Sequence, residues 1–110
     1  MNSCTGNILN VFSFASDSCN NTDSSVTPFF YYQKFTARPG QTTRCTRIQI
    51  PGNVVNSFVY TNDGIENGTC TLQLYKSDSC TDKPRTDYGV NQDVSGCNSE
   101  TFRAAKLSCE

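Results

Sequence analysis

The sequence predicts an all-β fold: a disulfide-stapled antiparallel β-sandwich or barrel, built from two Greek-key motifs if its internal repeat is real. Three observations carry that expectation. Seven cysteines are spread through 110 residues, from Cys4 to Cys109, with gaps of ten to twenty-six positions. Short segments rich in Val, Ile, Thr, Tyr and Phe alternate with Gly, Pro, Asn and Asp turns. No window carries the 3.6-residue apolar stripe of an amphipathic helix.

The elements follow in order. Asn7–Phe14 is an apolar run with Ile8, Leu9, Val11, Phe12 and Phe14. Phe29–Phe35 is a dense aromatic run. Arg47–Ile50 alternates, with Ile48 and Ile50 on one face. Val54–Tyr60 is β-branched and aromatic, and Thr71–Tyr75 sets Leu72 and Leu74 against polar neighbours. Phe102–Cys109 reads as one closing strand. Breaks fall at Arg38-Pro39-Gly40, Pro51-Gly52, Asn62-Asp63-Gly64, Asn67-Gly68, Tyr88-Gly89 and Ser95-Gly96, all of which are turn chemistry.

Val11–Thr22 aligns with Leu72–Lys83, and Ser16-Asp17-Ser18-Cys19 is identical to Ser77-Asp78-Ser79-Cys80. In each copy an apolar strand precedes the match and a polar loop follows. Two similar β motifs facing each other are the architecture such a duplication builds. The repeat also suggests the disulfides: Cys19–Cys45 within the first half, Cys80–Cys97 within the second, and Cys70–Cys109 tying the ends of the second motif. Cys4 is then the odd thiol, free or bonded between chains.

Composition narrows the function. One domain spanning 1–110 is the reading for this length. Apolar residues are 35 % of the chain, a modest core for which each disulfide matters. Such cysteine density belongs to an oxidising compartment, so the chain is expected to be secreted. The start, Met1-Asn2-Ser3-Cys4-Thr5-Gly6, reads as a mature secreted chain behind an added Met. Two sequons, Asn20-Asn21-Thr22 and Asn67-Gly68-Thr69, fit the same compartment. Nine basic against ten acidic residues, without blocks, argue for neither nucleic acid nor an anionic membrane as partner. No apolar run reaches the roughly twenty residues of a membrane-spanning helix. The cysteine spacing is too wide for a structural zinc site, since the closest pair, Cys70 and Cys80, lies ten positions apart.

The chain contains no histidine. A Ser or Cys nucleophile therefore lacks its usual activating base, and a ribonuclease pairing histidine with glutamate is excluded. Asp78, Asp82, Asp87 and Asp93 are candidates for a glycosidase carboxylate pair, but all four read as solvated loop acids. The segment Asp82–Tyr88 is likewise read as a solvated mixed-charge loop. The chain is read as a non-enzyme without cofactor or bound metal. Asn20–Ser25 fits the calcium-loop pattern of βγ-crystallin-like domains letter for letter and offers several oxygens. The second copy lacks that loop, and the aromatic signature expected ahead of it is missing. The aromatics Phe29, Phe30, Tyr31, Tyr32 and Phe35 form the candidate interaction surface. In a strand they divide between two faces, one of which must be core. The absence of Trp weakens a sugar-stacking role.

The second half resembles the small secreted cysteine-rich proteins of filamentous fungi. The residues concerned run from Cys70-Thr71-Leu72-Gln73-Leu74-Tyr75 through the Cys80 loop and Gly96-Cys97 to Phe102–Cys109, with Val55–Tyr60 upstream in the same style. Members include effectors, elicitors of plant defence and killer-toxin-like proteins. The resemblance implies a βγ-crystallin-like Greek-key fold or another β-barrel or sandwich. It supplies no catalytic residues, and it favours a homodimer; Cys4, near the terminus and without a partner in the repeat pairing, is the thiol expected to bridge it. The resulting expectation is a secreted effector or elicitor that binds a host protein or cell-wall component. Its alternatives are a killer-toxin-like antimicrobial protein and a glycan- or calcium-binding module.

Overall fold

The computed structural model describes residues 7–19, 30–48, 54–63, 70–81, 86–90 and 93–110. Within them there are eight strands: β1 (Asn7–Phe14), β2 (Phe30–Ala37), β3 (Thr46–Arg47), β4 (Val55–Asp63), β5 (Cys70–Tyr75), β6 (Thr86–Gly89), β7 (Asn98–Phe102) and β8 (Ala104–Cys109). They form two four-stranded antiparallel sheets, ordered β2-β1-β4-β7 and β3-β8-β5-β6. The protein is an all-β sandwich with three disulfides.

Those two orders are one order written twice. Adding four to each strand number turns β2-β1-β4 into β6-β5-β8. In the first motif β2, β1 and β4 share a sheet, and β3 crosses to the opposite one. In the second, β6, β5 and β8 share a sheet, and β7 crosses the other way. Each motif therefore has Greek-key order with its third strand exchanged.

The correspondence extends to single hydrogen bonds. Val11 of β1 pairs with Tyr60, as Leu72 of β5 pairs with Leu107. Around Tyr60, Ser95 donates its N–H to the Tyr60 carbonyl (2.9 Å), and Ser95 Oγ accepts the Tyr60 N–H (2.9 Å). Around Leu107, Thr43 makes the same two bonds, at 2.8 and 2.9 Å. The bridge Thr61↔Val94 likewise matches Ser108↔Thr42. Both copies of Ser-Asp-Ser-Cys end in left-handed backbone, with φ of 55° at Cys19 and 56° at Cys80. Side chains with a Cβ seldom adopt that region, so the shared geometry is a second signature of the duplication.

Alternation explains the core. Leu9, Val11 and Ser13 of β1 and Cys70, Leu72 and Leu74 of β5 are the inward-facing alternate residues of their strands, all buried. Phe58 fills the centre, edge-on to Phe102 (5.6 Å) and Tyr88 (5.1 Å). Its counterpart in β8 is the small Ala105, so equivalent positions of the two sheets differ in size. Ser13 occupies the position equivalent to Leu74. Its hydroxyl is buried without a hydrogen-bond partner, a defect of about 1–3 kcal/mol.

The strand exchange corrects the expected disulfides. Cys19–Cys45 and Cys80–Cys97 do not form; the bonds are Cys19–Cys97 and Cys45–Cys80. Cys45 and Cys97 immediately precede the third strands, which lie on the opposite motif's sheet. Each repeat cysteine therefore meets the other motif's cysteine. The two bonds correspond to each other, with Cα separations of 5.8 and 5.9 Å. Cys70–Cys109 forms as expected, between residues directly opposite on β5 and β8. Its counterpart in the first motif is the pair Leu9 and Asn62.

Other expectations shift as well. β1 matches Asn7–Phe14, whereas Phe102–Cys109 is two strands. Arg103 marks the crossing between sheets: its N–H donates to the Tyr75 carbonyl (2.8 Å) and its carbonyl accepts from Ile48 (2.9 Å). Ile48 is buried, but β3 stops at Arg47, and Ile50 lies outside the described residues. Thr86–Gly89 is strand rather than loop, because its polar residues pair along β5.

A disulfide map of unreduced protein is expected to give Cys19–Cys97, Cys45–Cys80 and Cys70–Cys109. Recovery of Cys19–Cys45 would remove the exchanged topology. With sequence separations of 78, 35 and 39 residues, chain-entropy estimates are about 4.5, 3.8 and 3.9 kcal/mol in turn. Each is a large share of a typical domain stability of about 5–15 kcal/mol. Complete reduction should abolish the β-sheet circular dichroism at physiological temperature; an unchanged melting point would show that the core suffices alone.

Candidate functional site

Two surfaces have enough definition to act as sites. The first is the outer face of the sheet containing β1. Strand geometry divides the aromatic run there. Phe35 points inward and is 2 % exposed, so it belongs to the core and leaves the expected interaction surface. Tyr31 also packs against the core. Tyr32 points outward and is 46 % exposed. Phe30 belongs to β2, and Phe29 lies outside the described residues.

Tyr32 is held in place from two sides. Across the β1–β2 pair its ring packs on Phe12, with centroids 5.1 Å apart. Its hydroxyl donates to Asn10 Oδ1, and Asn10 Nδ2 donates to Thr61 Oγ1 (3.3 Å). Val59 continues the Tyr32–Phe12 row on β4, and Val94, 64 % exposed, lies beside Thr61 at the far edge. The face thus combines an aromatic row with an ordered amide–hydroxyl row. Buried positions inside the sheet fix both, because neighbouring residues of each strand point to opposite faces.

The second surface is a polar cleft of about 690 Å³ lined by Ala15, Asp17, Asn56, Lys76, Ser99, Glu100 and Thr101. The loops after β1 and β5 contribute Ala15, Asp17 and Lys76, and β4 and β7 supply the rest. Asn56 Nδ2 donates to the Ala15 carbonyl (2.9 Å), and Thr101 donates to Asn56 Oδ1 (2.8 Å). Ser99 donates to the Asp17 carbonyl (2.7 Å). Buried Ser57 accepts the Cys19 N–H (2.9 Å) and donates to the Ser16 carbonyl (2.6 Å). Together with Cys19–Cys97, these bonds tie the β1 loop to β4 and β7.

Glu100 closes the sandwich beside this cleft. Its two oxygens accept from the hydroxyls of Tyr88 and Thr86 on β6, each at 3.1 Å, joining the two sheets. Burial raises the Tyr88 phenol above its ordinary pKa, and the hydrogen bond and negative charge of Glu100 raise it further.

Asp78, Asp87 and Asp93 are exposed. Asp82, Cys4 and the Asn20–Ser25 loop lie outside the described residues. Among the described residues, no group of three or more metal-ligating side chains comes together, and no helix is long and apolar enough to cross a membrane. Sequence reasoning did not identify Asn56, Ser99, Glu100 and Thr101 as a group. They meet Asp17 only because β7 crosses to the first sheet, and no local pattern signals that crossing.

Tyr88 ties stability to alkaline pH. A raised folded-state pKa means that the stabilisation is complete below the unfolded phenol value of about 10, and is lost as pH rises through the folded value. Glu100→Gln removes the charge and should shift a spectrophotometric titration of Tyr88 downward; an unshifted titration would remove Glu100 as a cause. No protein-family model matches the chain, and no curated protein or solved structure matches it.

Proposed function

We propose that this chain is a secreted, non-catalytic effector or elicitor of fungal type that binds a host protein or cell-wall surface through the outer face around Tyr32. The observation carrying the reading is the exposed Tyr32 ring, fixed by Phe12 and by the Asn10–Thr61 hydrogen-bond row. Aromatic rings held in this way give contact area at low entropic cost. Three disulfides and the fungal-style second half support secretion into an oxidising medium, and the absence of histidine from the sequence supports a binding role. The test applies purified protein to leaves and, separately, to yeast and mould cultures. A plant-defence response that Tyr32→Ala reduces at least tenfold, with the melting point kept, is the expected result. Growth inhibition of the cultures without any leaf response would replace this reading with the killer-toxin-like one.

The same reading includes a homodimer bridged through Cys4. A residue near a chain end has the freedom to reach its own copy across a two-fold axis. Non-reducing denaturing electrophoresis should show a dimer that Cys4→Ser abolishes. A monomer by light scattering in the wild type rejects the dimer.

A further inference from the structure

We propose that the cleft between the β1 loop and β7 is a binding site for an arginine side chain of a basic partner peptide. This is a second site, independent of the Tyr32 face: none of the cleft-lining residues belongs to that row.

The polar protons of the cleft are already committed within the fold. The hydroxyl hydrogens of Ser99 and Thr101 are spent on the Asp17 carbonyl and on Asn56 Oδ1. A hydroxyl has one proton, so what each still offers is lone pairs. The Asn56 amide nitrogen donates to the carbonyls of Ala15 and Val54, while its Oδ1 keeps a second lone pair. Glu100 accepts one hydroxyl on each oxygen, and each oxygen can accept another bond. Asp17 contributes a further, exposed carboxylate. The lining is therefore rich in acceptors and carries two carboxylates against the single ammonium of Lys76.

Such a surface complements a ligand that offers many donors and positive charge. Guanidinium presents five N–H groups in a planar fork suited to carboxylate and hydroxyl oxygens. The cleft is open and polar, so an arginine side chain can lie along it with its guanidinium among the acceptors and its flanking backbone outside. Cys19–Cys97 and the Ser57, Ser99 and Thr101 bonds hold the walls before any ligand arrives. That order lowers the entropic cost of binding.

The test is a titration of isotope-labelled protein, followed by amide chemical shifts, with an acetylated Arg-Gly-Arg-Gly-Arg amide peptide. The controls are the same peptide with citrulline for arginine, and tetraglucosamine, a cationic sugar oligomer. Saturable shifts are expected at Asp17, Asn56, Glu100 and Thr101, weakening as salt is raised. Asp17→Asn and Glu100→Gln should each weaken binding about tenfold, the loss of a charge-assisted bond, and Lys76→Gln should tighten it. Asp17 is exposed, so its variant keeps the test valid should Glu100→Gln disturb the β6–β7 clasp. Equal binding of the citrulline peptide, binding of tetraglucosamine but not of the arginine peptide, or no saturable shift at these residues would overturn the proposal. None of these outcomes depends on the leaf assay.

Discussion

The exchange of third strands is the constraint on which the rest of this structure depends. β3 and β7 each leave their own motif and complete the sheet of the other. A single four-stranded motif would leave one apolar sheet face open to water. Two motifs that trade a strand bury both faces against each other, and each traded strand pairs with the last strand of its host motif. The hydrogen bonds of Ser95 to Tyr60 and of Thr43 to Leu107 secure the segments leading into the traded strands. The disulfides Cys19–Cys97 and Cys45–Cys80 then lock covalently what those bonds position. Each joins the loop after a first strand to the entry of the exchanged strand.

How much of this was legible in the sequence follows from the range of each interaction. β1 could be read to its end residues because its apolar run is local. The repeat could be read because Ser-Asp-Ser-Cys is contiguous, and the left-handed Cys19 and Cys80 bear it out in the backbone. β6 and β7 could not be read. Thr86–Gly89 and Asn98–Phe102 are polar edge strands whose alternate residues stay exposed, and the β4 partner of β7 is distant in sequence. The disulfide error has the same origin. Pairing cysteines within each half assumes that a motif keeps its own strands, and a trade between halves leaves no local mark.

The aromatic run shows a finer version of that limit. Period-two alternation correctly says that Phe29–Phe35 must divide between faces. It does not say which face is core until β1 is set beside β2. Once Leu9 pairs with Phe35 and Phe12 with Tyr32, the burial of Leu9 draws Phe35 inward and leaves Tyr32 outside. The cleft was less accessible still. Its residues come from four separate stretches, and its acceptor-rich character depends on which protons the fold has already used.

Duplication explains the frame, and divergence explains the sites. Where the second motif has the Cys70–Cys109 bond, the first has Leu9 and Asn62. Where the second has Leu74, the first has Ser13, with its hydroxyl buried and unpaired. Phe58 and Ala105 are equivalent positions of opposite size, and the large ring reaches Phe102 and Tyr88. Both copies pack into one shared core, where such differences in size and polarity must be accommodated together. The same asymmetry reaches the surface. The outer row Tyr32–Phe12–Val59 of the first sheet corresponds to Asp87–Gln73–Lys106 in the second. One face of the sandwich is therefore aromatic and the other charged and polar, on one repeated strand pattern. A partner meeting this molecule meets two different surfaces held at fixed separation by one cross-linked core.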